Sequence, residues 1–439
     1  MHLLKKTLFF SALFCLFALT TSAQIITTIA GNVSGDPDAD WIEAVNAKIS
    51  YPWGLAADNS GNIYFTEPLK HRVRKIYADG RICTIAGTGT KGFSGDGLPA
   101  TDAQLNTPYG VATDKTGNVY IADFGNNRIR KVTPDGMIST AKWNAIKPMD
   151  IALDTAGNLY VAETGSMTIS KTSPAGIASV VINGFSNLIP GGAYGVTSDL
   201  WMPENSRLNG LAIDNNGNTL IADHWDNLIQ KVTPTGILST ICGAHPQLTN
   251  NGDGGPAGRA TLFSPRRVAT DNDGNIYISD GTVRKIDRAG IITTIAGGGI
   301  GQPTDNNIMA TDARLSAMGI ATDDAGNLYI ADTYWGTIRK VRPGNVGINT
   351  VVNNNGAMLY PNPNNGVFEF TANFNEPISG GCRLTITNAA GAMVYFATPE
   401  TKNGTVCTSI DINNQPTGVY FLRAETGKQT LYRAFQITK

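Results

Sequence analysis

The sequence predicts an all-β protein, a six-bladed β-propeller followed by a small β-sandwich. Two observations predict the propeller: one sequence pattern recurs six times, and four short strand patterns accompany most copies. A third observation, the change of composition after Val341, indicates a second domain. The copies run from Leu55 to Glu67, Val111 to Asp123, Ile151 to Glu163, Leu211 to Asp223, Val268 to Asp280 and Ile320 to Asp332.

Each copy is predicted to form a β-hairpin. An apolar run precedes Asp, two free positions and Gly-Asn, as in VATDKTGNVYIAD at 111–123. The Asp carboxylate can accept hydrogen bonds from the backbone two residues on, and Gly supplies a positive φ between the strands. These turns resemble part of a calcium loop but lack its distal bidentate Glu. We therefore interpret them as structural.

Two further strands complete each blade. A basic run such as RIRKV at 128–132 alternates apolar and charged residues, which is typical of a half-buried strand. We expect its Lys and Arg side chains to be solvated. A tight turn such as TPDG at 133–136 leads to a fourth strand, for which ICTIAG at 82–87 is an example. Four antiparallel strands repeated in this way form the blades of a propeller.

The N-terminal strand is predicted to close the ring. The sixth copy lacks a fourth strand, because Val341 runs directly into RPGN, whereas ITTIAG at 26–31 has no hairpin of its own. Pairing these segments completes blade six and leaves no open sheet edge.

The repeats resemble the NHL-repeat propeller family. The resemblance rests on the Gly-Val-Ala-x-Asp, Gly-Asn-x-Tyr-Ile-Ala-Asp and Asn-Arg-Ile-Arg-Lys-Val segments of blade two, and on the long connector at 87–110, which is similar to that of secreted bacterial members. It places the propeller domain at 24–345. Blade three departs most, because SMTISKT at 166–172 replaces the basic strand.

The N-terminus is predicted to be a secretory signal peptide at 1–23. Lys5 and Lys6 precede an apolar stretch at 8–19, and small residues end at Ala23. The stretch is too short to span a bilayer, and no later segment is long and apolar enough to do so. We therefore expect an exported protein with no transmembrane segment.

The C-terminal region is predicted to be a linker at 346–358 and a β-sandwich at 359–439. The linker is rich in Gly and Asn, and the domain contains short alternating runs. LYPNPNNGVFEF at 359–370 and GVYFLRAETGKQTLYRAFQITK at 418–439 resemble the C-terminal sorting domain of type IX secretion (Por system) cargo in Bacteroidetes. The resemblance implies that the outer-membrane translocon is a partner of residues 359–439 and that the protein is secreted or displayed on the cell surface.

Charge and cysteine content limit the possible partners and cross-links. A formal net charge of −1 gives no reason to expect nucleic-acid binding. Cys83 and Cys242 fall in blades on opposite sides of the ring, too far apart to pair. Cys382 and Cys407 share the C-terminal domain, where either a disulfide or two free thiols is possible.

Long loops on one face of the ring are the predicted binding surface. Second-to-third loops and inter-blade connectors share that face, and rigid scaffolds carry binding residues on such loops. Exposed aromatic side chains anchor interfaces or stack on sugars, although they can also pack loops together. The candidate ligand-binding residues are Trp41, Phe93, Phe124, Trp201, His224, Trp225, Tyr334 and Trp335.

The carboxylates that end the second strands admit two interpretations. They are expected to form ion pairs with the basic third strands, as in Asp123 with Arg128. The alternative is a ring that binds calcium or takes part in catalysis. The residues concerned are Glu67, Asp123, Glu163, Asp223, Asp280 and Asp332.

The expected function is a protein- or glycan-binding module without a cofactor, calcium being the one possible exception. The alternative is a lyase or lactonase with a metal-assisted site, because such enzymes resemble NHL propellers and use histidines over the central channel. His71 and His224 are the candidate catalytic residues of that alternative. No linear catalytic motif supports it, so an enzyme is the less favoured interpretation.

Overall fold

The fold divides into two compact units, Gln24–Pro343 and Gly344–Lys439. The predicted signal peptide and linker residues 346–357 lie outside the described residues, whereas Met358 already belongs to the first strand of the second unit. The computed structural model describes residues 24–31, 34–35, 39–183, 208–243, 251–300, 305–342, 358–360, 365–374, 381–388, 392–402, 405–426 and 430–439.

The first unit contains six antiparallel sheets of four or five strands, one for each sequence copy. The first strands are Leu55–Ala57, Pro108–Thr113, Pro148–Leu153, Leu208–Ile213, Arg267–Thr270 and Ala317–Thr322. The second strands are Ile63–Glu67, Val119–Asp123, Leu159–Glu163, Thr219–Asp223, Ile276–Ser279 and Leu328–Asp332. The third strands are Arg72–Ile76, Arg128–Val132, Thr168–Thr172, Leu228–Val232, Val283–Ile286 and Thr337–Val341. The fourth strands are Arg81–Ala86, Ile138–Trp143, Ala178–Asn183, Leu238–Cys242, Ile292–Ala296 and, in blade six, Ile25–Ala30.

Short elements in the connectors cover some blade edges. Ile42–Glu43 pairs with the fourth strand of blade one, and Ile308–Met309 pairs with that of blade six. Single 3-10 turns lie at Ala44–Asn46, Pro68–Lys70, Ala100–Asp102, Phe124–Asn126, Ala257–Arg259 and Ala310–Asp312.

The six sheets form a closed ring. Each first strand contacts the first strands of both neighbouring blades, and blade six returns to blade one, so the first strands surround the central axis. Ile25–Ala30 pairs antiparallel with Thr337–Val341, and Ile26 and Ala30 are fully buried. The prediction that the N-terminal strand closes blade six is confirmed.

Asp side chains hold the first-to-second turns. Asp58 Oδ1 accepts hydrogen bonds from the N–H groups of Ser60 and Asn62, and its Oδ2 accepts from Asn62 Nδ2 at 2.8 Å and Tyr64 OH at 2.9 Å. Burial disfavours the charged carboxylate, but these hydrogen bonds outweigh it and lower the pKa of Asp58. The Asp-Asn pair recurs in all six turns, at Asp58, Asp114, Asp154, Asp214, Asp271 and Asp323. The turn residues therefore serve the fold.

The arginines of the third strands are buried, so the expectation that they are solvated is wrong. Arg74, Arg130, Arg284 and Arg339 are at most 1% exposed. Arg130 Nη2 donates to Ser94 O at 3.0 Å and to Asp96 Oδ1 at 2.8 Å, in the connector that precedes its blade. Equivalent ion pairs join Arg74 to Asp40 and Arg284 to Asp253. Each arginine therefore binds a connector to its blade.

The second unit is a β-sandwich of two four-stranded sheets, as the sequence predicts. Phe370, Leu384, Leu422 and Phe435 are among the fully buried side chains of its core. One sheet contains Met358–Tyr360, Val367–Asn373, Thr401–Lys402 and Thr405–Asp411. The other contains Arg383–Asn388, Met393–Ala397, Gly418–Glu425 and Thr430–Ile437.

The cysteines of both units are free thiols. Cys382 is buried beside one sheet of the sandwich, whereas Cys407 lies exposed on a strand of the other. The disulfide that the sequence allowed is not formed, because the buried side chain of Cys382 and the exposed side chain of Cys407 do not meet. In the part of the chain that the structure describes, no helix is long and apolar enough to cross a membrane.

Candidate functional site

Six side chains stand at equivalent positions where the first strands begin, on the face of the long loops. In four blades this position lies in a break of strand register, for example between Pro148 and Asp150 or between Leu208 and Gly210. In blades one and five the N–H groups of Trp53 and Arg266 donate to second-strand carbonyls at 3.0 and 2.8 Å. Side chains of a regular strand alternate between the two faces of the sheet, and a bulge of this kind turns one of them in another direction. We name these residues the bulge ring: Trp53, Tyr109, Met149, Asn209, Arg266 and Met318.

Glycine follows the bulge ring in four blades because neighbouring first strands approach closely there. A Cβ on Gly54 would lie 2.2 Å from Tyr109 O, and one on Gly319 would lie 1.9 Å from Trp53 O. Gly54, Gly210 and Gly319 thus let the backbone of the next member of the bulge ring come near, and Gly110 makes room for Asp150. The ring members follow one another around the channel mouth.

Asp150 and Arg267 replace this glycine in blades three and five, and they form an ion pair across the channel. Both are buried, and Asp150 Oδ2 also accepts a hydrogen bond from Leu211 N at 2.8 Å. A Cβ on Gly54 would lie 3.0 Å from Arg267 Nη2, so the glycine of blade one makes room for the guanidinium. Burial lowers the pKa of Arg267 to about 9, which leaves it charged at neutral pH.

One side of the bulge ring is aromatic. The rings of Trp53 and Tyr109 meet edge to face with centroids 5.2 Å apart, and Tyr109 meets Phe124 in the same way at 5.1 Å. Met149 is buried in the same cluster, and Lys147 Nζ lies 4.9 Å from the Phe124 centroid. Blades one to three therefore present an apolar floor bordered by a cation.

The other side of the bulge ring is polar. Asn209 is 3% exposed, and among the described residues neither its Oδ1 nor its Nδ2 has a hydrogen-bond partner. Burial lowers the pKa of Arg266 to about 10. Burial, assisted by the charge of Arg266, lowers the pKa of His224 to about 3, so His224 is neutral at pH 7. The polar side thus combines a buried amide, a neutral imidazole and a cation.

The structure separates the predicted aromatic candidates. Phe124 belongs to the cluster just described, and Phe93 lies under Arg128, whose guanidinium is 3.6 Å from the ring centroid. Trp41 is stacked on Tyr77 at 5.3 Å at the outer edge of blade one, a packing role.

The remaining candidates belong to blades four and six. Tyr334 is 63% exposed and meets Trp335 edge to face at 4.8 Å. His224 and Trp225 are partly buried in the second-to-third turn of blade four. Trp201 lies outside the described residues.

His71 has a structural role that is repeated in other blades. Its Nδ1 accepts a hydrogen bond from Thr107 N at 3.0 Å, and its φ is 49°. Asn127 and Asn227 occupy the same position with positive φ, and their Oδ1 atoms accept from Lys147 N and Ser264 N. The side chain at this position therefore fixes the next connector. Blades one and four are opposite in the ring, and the structure does not bring His71 and His224 together as a catalytic pair.

The strand-end carboxylates also hold connectors. They are at most 6% exposed. Glu67, Asp123, Glu163 and Asp332 accept hydrogen bonds from connector N–H groups at 2.6–2.9 Å, and Asp223 and Asp280 accept from their own second-to-third turns. Each carboxylate bonds to groups of its own blade, of the adjoining connector or, for Glu163, to Lys142 of the preceding blade, so the six do not converge as a metal site would require.

The predicted ion pairs of these carboxylates form only in part. Glu67 pairs with Arg72 at 2.6 Å, whereas Asp123 Oδ2 lies 3.7 Å from Arg130 Nη1, and Arg128 covers Phe93. Within the described ranges, no group of three or more His, Cys, Asp or Glu side chains could hold a metal ion.

Sequence reasoning missed the bulge ring, although the repeats contain a signal for it. The segments PWGLA, PYGVA, PMDIA, LNGLA, PRRVA and AMGIA keep nearly the same frame while one position changes from blade to blade. Comparing the copies column by column, rather than searching for exposed aromatics, identifies that position.

Family profiles match both units of the chain. The secretion system C-terminal sorting domain matches residues 358–438, and the teneurin NHL domain matches residues 89–143 and 246–308. The chain is 33% identical over 119 residues to Protein SUPPRESSOR OF QUENCHING 1, chloroplastic, of Arabidopsis thaliana, covering 26% of this chain and 11% of that protein. It is 36% identical over 104 residues to teneurin-3 of Mus musculus, covering 20% and 4%. The chain thus spans only a small part of these relatives.

Solved structures share the fold of the first unit. A protein of unknown function from Bacteroides thetaiotaomicron VPI-5482 has a TM-score of 0.56 and 21% identity, covering 73% of this chain and 76% of that one. An auxiliary nutrient binding protein from Bacteroides ovatus ATCC 8483 has a TM-score of 0.54 and 18% identity, covering 73% and 77%. At these identities the likeness shows the fold alone. The sorting domain indicates export to the cell surface or beyond. The chain thus joins a β-propeller, two segments of which match the teneurin NHL domain, to a secretion system C-terminal sorting domain.

Proposed function

We propose that this exported propeller is a binding module that holds an extracellular protein or glycan on its long-loop face. The observation that carries the proposal is the bulge ring, in which one backbone position holds Trp, Tyr, Met, Asn, Arg and Met within a nearly constant frame. Positions that stay constant between blades serve the fold. A position that changes among them is available for ligand recognition.

The buried amide of Asn209 supports this proposal. A buried polar group without a hydrogen bond costs about 1–3 kcal/mol, and neither polar atom of the Asn209 side chain has a partner among the described residues. An apolar residue at this position would make the folded protein more stable, so a hydrogen bond from a ligand to the amide would explain why asparagine is present. The closed ring fixes the site before contact, which reduces the ordering cost of binding.

A metal-assisted lyase or lactonase is the less favoured alternative. Arg266 places positive charge at the channel mouth, where a divalent cation would be repelled. The Nδ1 atom of His71 is already engaged by Thr107. Elemental analysis after dialysis against chelator tests this alternative. Stoichiometric calcium or zinc, lost on Asp332→Asn or His224→Gln substitution, would favour the enzyme.

A glycan array and cell-envelope extracts test the binding function directly. The full exported chain is compared with its Trp53→Leu and Asn209→Leu variants. We expect both variants to lose ligand, with Asn209→Leu unfolding at a higher temperature than the wild type because the unpaired amide is removed. Binding that survives both substitutions would move the site away from the bulge ring.

A further inference from the structure

Three cations lie on the long-loop face over blades one to three. Lys91 and Lys147 are exposed, and Arg128 is partly buried. Among the described residues, neither lysine lies within salt-bridge distance of a carboxylate. Burial and the nearby charge of Lys91 lower the pKa of His71. The two lysines therefore present positive charge to solvent.

The strand-end carboxylates of blades one to three do not neutralise these lysines at the surface. Glu67 and Glu163 are buried, and each has a cation of its own at 2.6 Å, Arg72 and Lys142 respectively. Asp123 is fully buried and accepts hydrogen bonds from Asn106 N and Asn126 Nδ2.

Aromatic rings lie between the cations. Phe93 is 39% exposed and has the Arg128 guanidinium over its ring at 3.6 Å. Lys147 Nζ lies 4.9 Å from the centroid of the Phe124 ring. The Phe124 ring contacts that of Tyr109, which in turn contacts the ring of Trp53. Rings of this kind offer apolar surface on which sugar rings can lie, beside groups that attract anions.

The cations follow one another along the chain path around the ring. Lys91 belongs to the connector between blades one and two, Arg128 begins the third strand of blade two, and Lys147 belongs to the connector between blades two and three. An arc of separated charges fits an extended polymer with repeated anionic groups better than a small compact anion.

We propose that this arc, defined by Lys91, Phe93, Arg128, Lys147 and Trp53, binds an acidic polysaccharide. The lysines and Arg128 pair with its carboxylate or sulfate groups, and Phe93 and Trp53 contact its sugar rings. This inference rests on the proposed binding function and names the class of glycan. An exported protein meets such polymers outside the cell, whereas its net charge of −1 gives no general attraction for nucleic acid.

The test measures binding of the full exported chain to immobilised polygalacturonate, dextran sulfate, dextran and a single-stranded DNA oligonucleotide. The first two probes distinguish carboxylate from sulfate, and dextran is the neutral match of dextran sulfate. The test variant is Lys91→Gln with Lys147→Gln. The matched control is Lys115→Gln with Arg288→Gln, which removes two exposed charges from turns on the opposite face.

We expect at least one acidic glycan to bind, with affinity falling as salt is raised and falling about tenfold in the test variant. The control variant should stay within about twofold of the wild type. Equal binding of dextran, tighter binding of DNA, an equal loss in the control, or no binding of either acidic glycan would overturn the inference. If the inference fails while binding that depends on Trp53 or Asn209 is found on the array or in extracts, the proposed function stands with another ligand.

Discussion

Asp150 and Arg267 occupy the position that glycine holds in the other four blades, and the charge of each neutralises that of the other. A buried charge is tolerated when a partner and hydrogen bonds satisfy it. The copies PMDIA and PRRVA show in sequence that the glycine is lost twice, with opposite charges. That the two charges meet could not be predicted from one copy, because contact across the channel depends on closure of the whole ring.

Asp150→Asn should lower the free energy of unfolding by about 3 kcal/mol or more, because it leaves the buried Arg267 without its counter-charge. Urea unfolding followed by tryptophan fluorescence measures the change. Asp273→Asn is the control, since the Asp273 side chain is 86% exposed. In a double-mutant cycle, adding Arg267→Gln should cost much less in the Asp150→Asn background than in the wild type. Additive costs would contradict the pairing.

Asp332 gives a pH dependence with a defined sign. Burial raises its pKa from the ordinary value of 3.8 to about 6, against a hydrogen bond from Ser316 N and the charge of Arg339. The folded protein therefore holds more protons than the unfolded chain between about pH 4 and pH 6, and the stability due to this group falls as pH rises through that range.

The stability of the wild type relative to Asp332→Asn should thus fall by on the order of 2 kcal/mol between about pH 4 and pH 7. Urea titrations of both proteins at several pH values measure it. Asp102→Asn, at an exposed turn position, should show a constant difference from the wild type. A difference for Asp332→Asn that rose with pH would contradict the raised pKa.

At the scale of elements, several kinds of contact attach the described connectors to the blades on either side of them. A strand-end carboxylate accepts connector N–H groups, a residue of positive φ such as Asn127 accepts another, and a third-strand arginine such as Arg130 binds connector carbonyl and carboxylate oxygens. The sequence predicts the strands themselves, because alternation and turn residues are local signals. It does not reveal these contacts, because donor and acceptor are separated by up to 37 residues, as in Ser264 with Asn227.

Blade three lacks the third-strand arginine, and a lysine of the preceding blade takes its place. Its third strand has Ser170 where blades one, two, five and six have arginine, and Lys142 of the preceding blade supplies the cation. Lys142 Nζ donates to Glu163 Oε1 at 2.6 Å and also bonds Ser170 Oγ. The departure that the sequence shows in this strand is therefore compensated by a neighbouring element.

Lys142→Met should destabilise the protein by about 2–3 kcal/mol, because Glu163 stays buried without a cation. Thermal and urea unfolding measure the loss. Lys131→Met, which removes a lysine that lies over the Tyr120 ring at 5.7 Å, should cost less than about 1 kcal/mol. Equal losses in the two variants would show that Lys142 acts only through its apolar stem.

At the scale of the whole molecule, closure joins the two ends of the propeller. Thr27 and Lys340 are in contact although 313 residues separate them. The sequence predicts this closure from the ITTIAG segment alone. Blade six lacks a fourth strand, the N-terminus has one strand in excess, and pairing the two completes the ring. The chemistry of the channel mouth is not predictable in this way, since it arises from six blades meeting.

Deletion of residues 24–31 should open blade six and expose the edge of Thr337–Val341, so the protein should aggregate or exchange strands between copies. Size-exclusion chromatography with light scattering detects this. A truncation after residue 343 is the control, because Gln24–Pro343 forms its own compact unit. A monomeric deletion variant with wild-type stability would contradict the role of the N-terminal strand.

The position of the closing strand also sets the order in which the propeller can be completed along the chain. The N-terminal strand cannot pair until the third strand of blade six, which ends at Val341, is present, and the sorting domain follows that strand along the chain. A chain cut short before residue 337 therefore cannot complete the ring. Ring closure thus requires every blade of the propeller, and all of the blades precede the sorting domain along the chain.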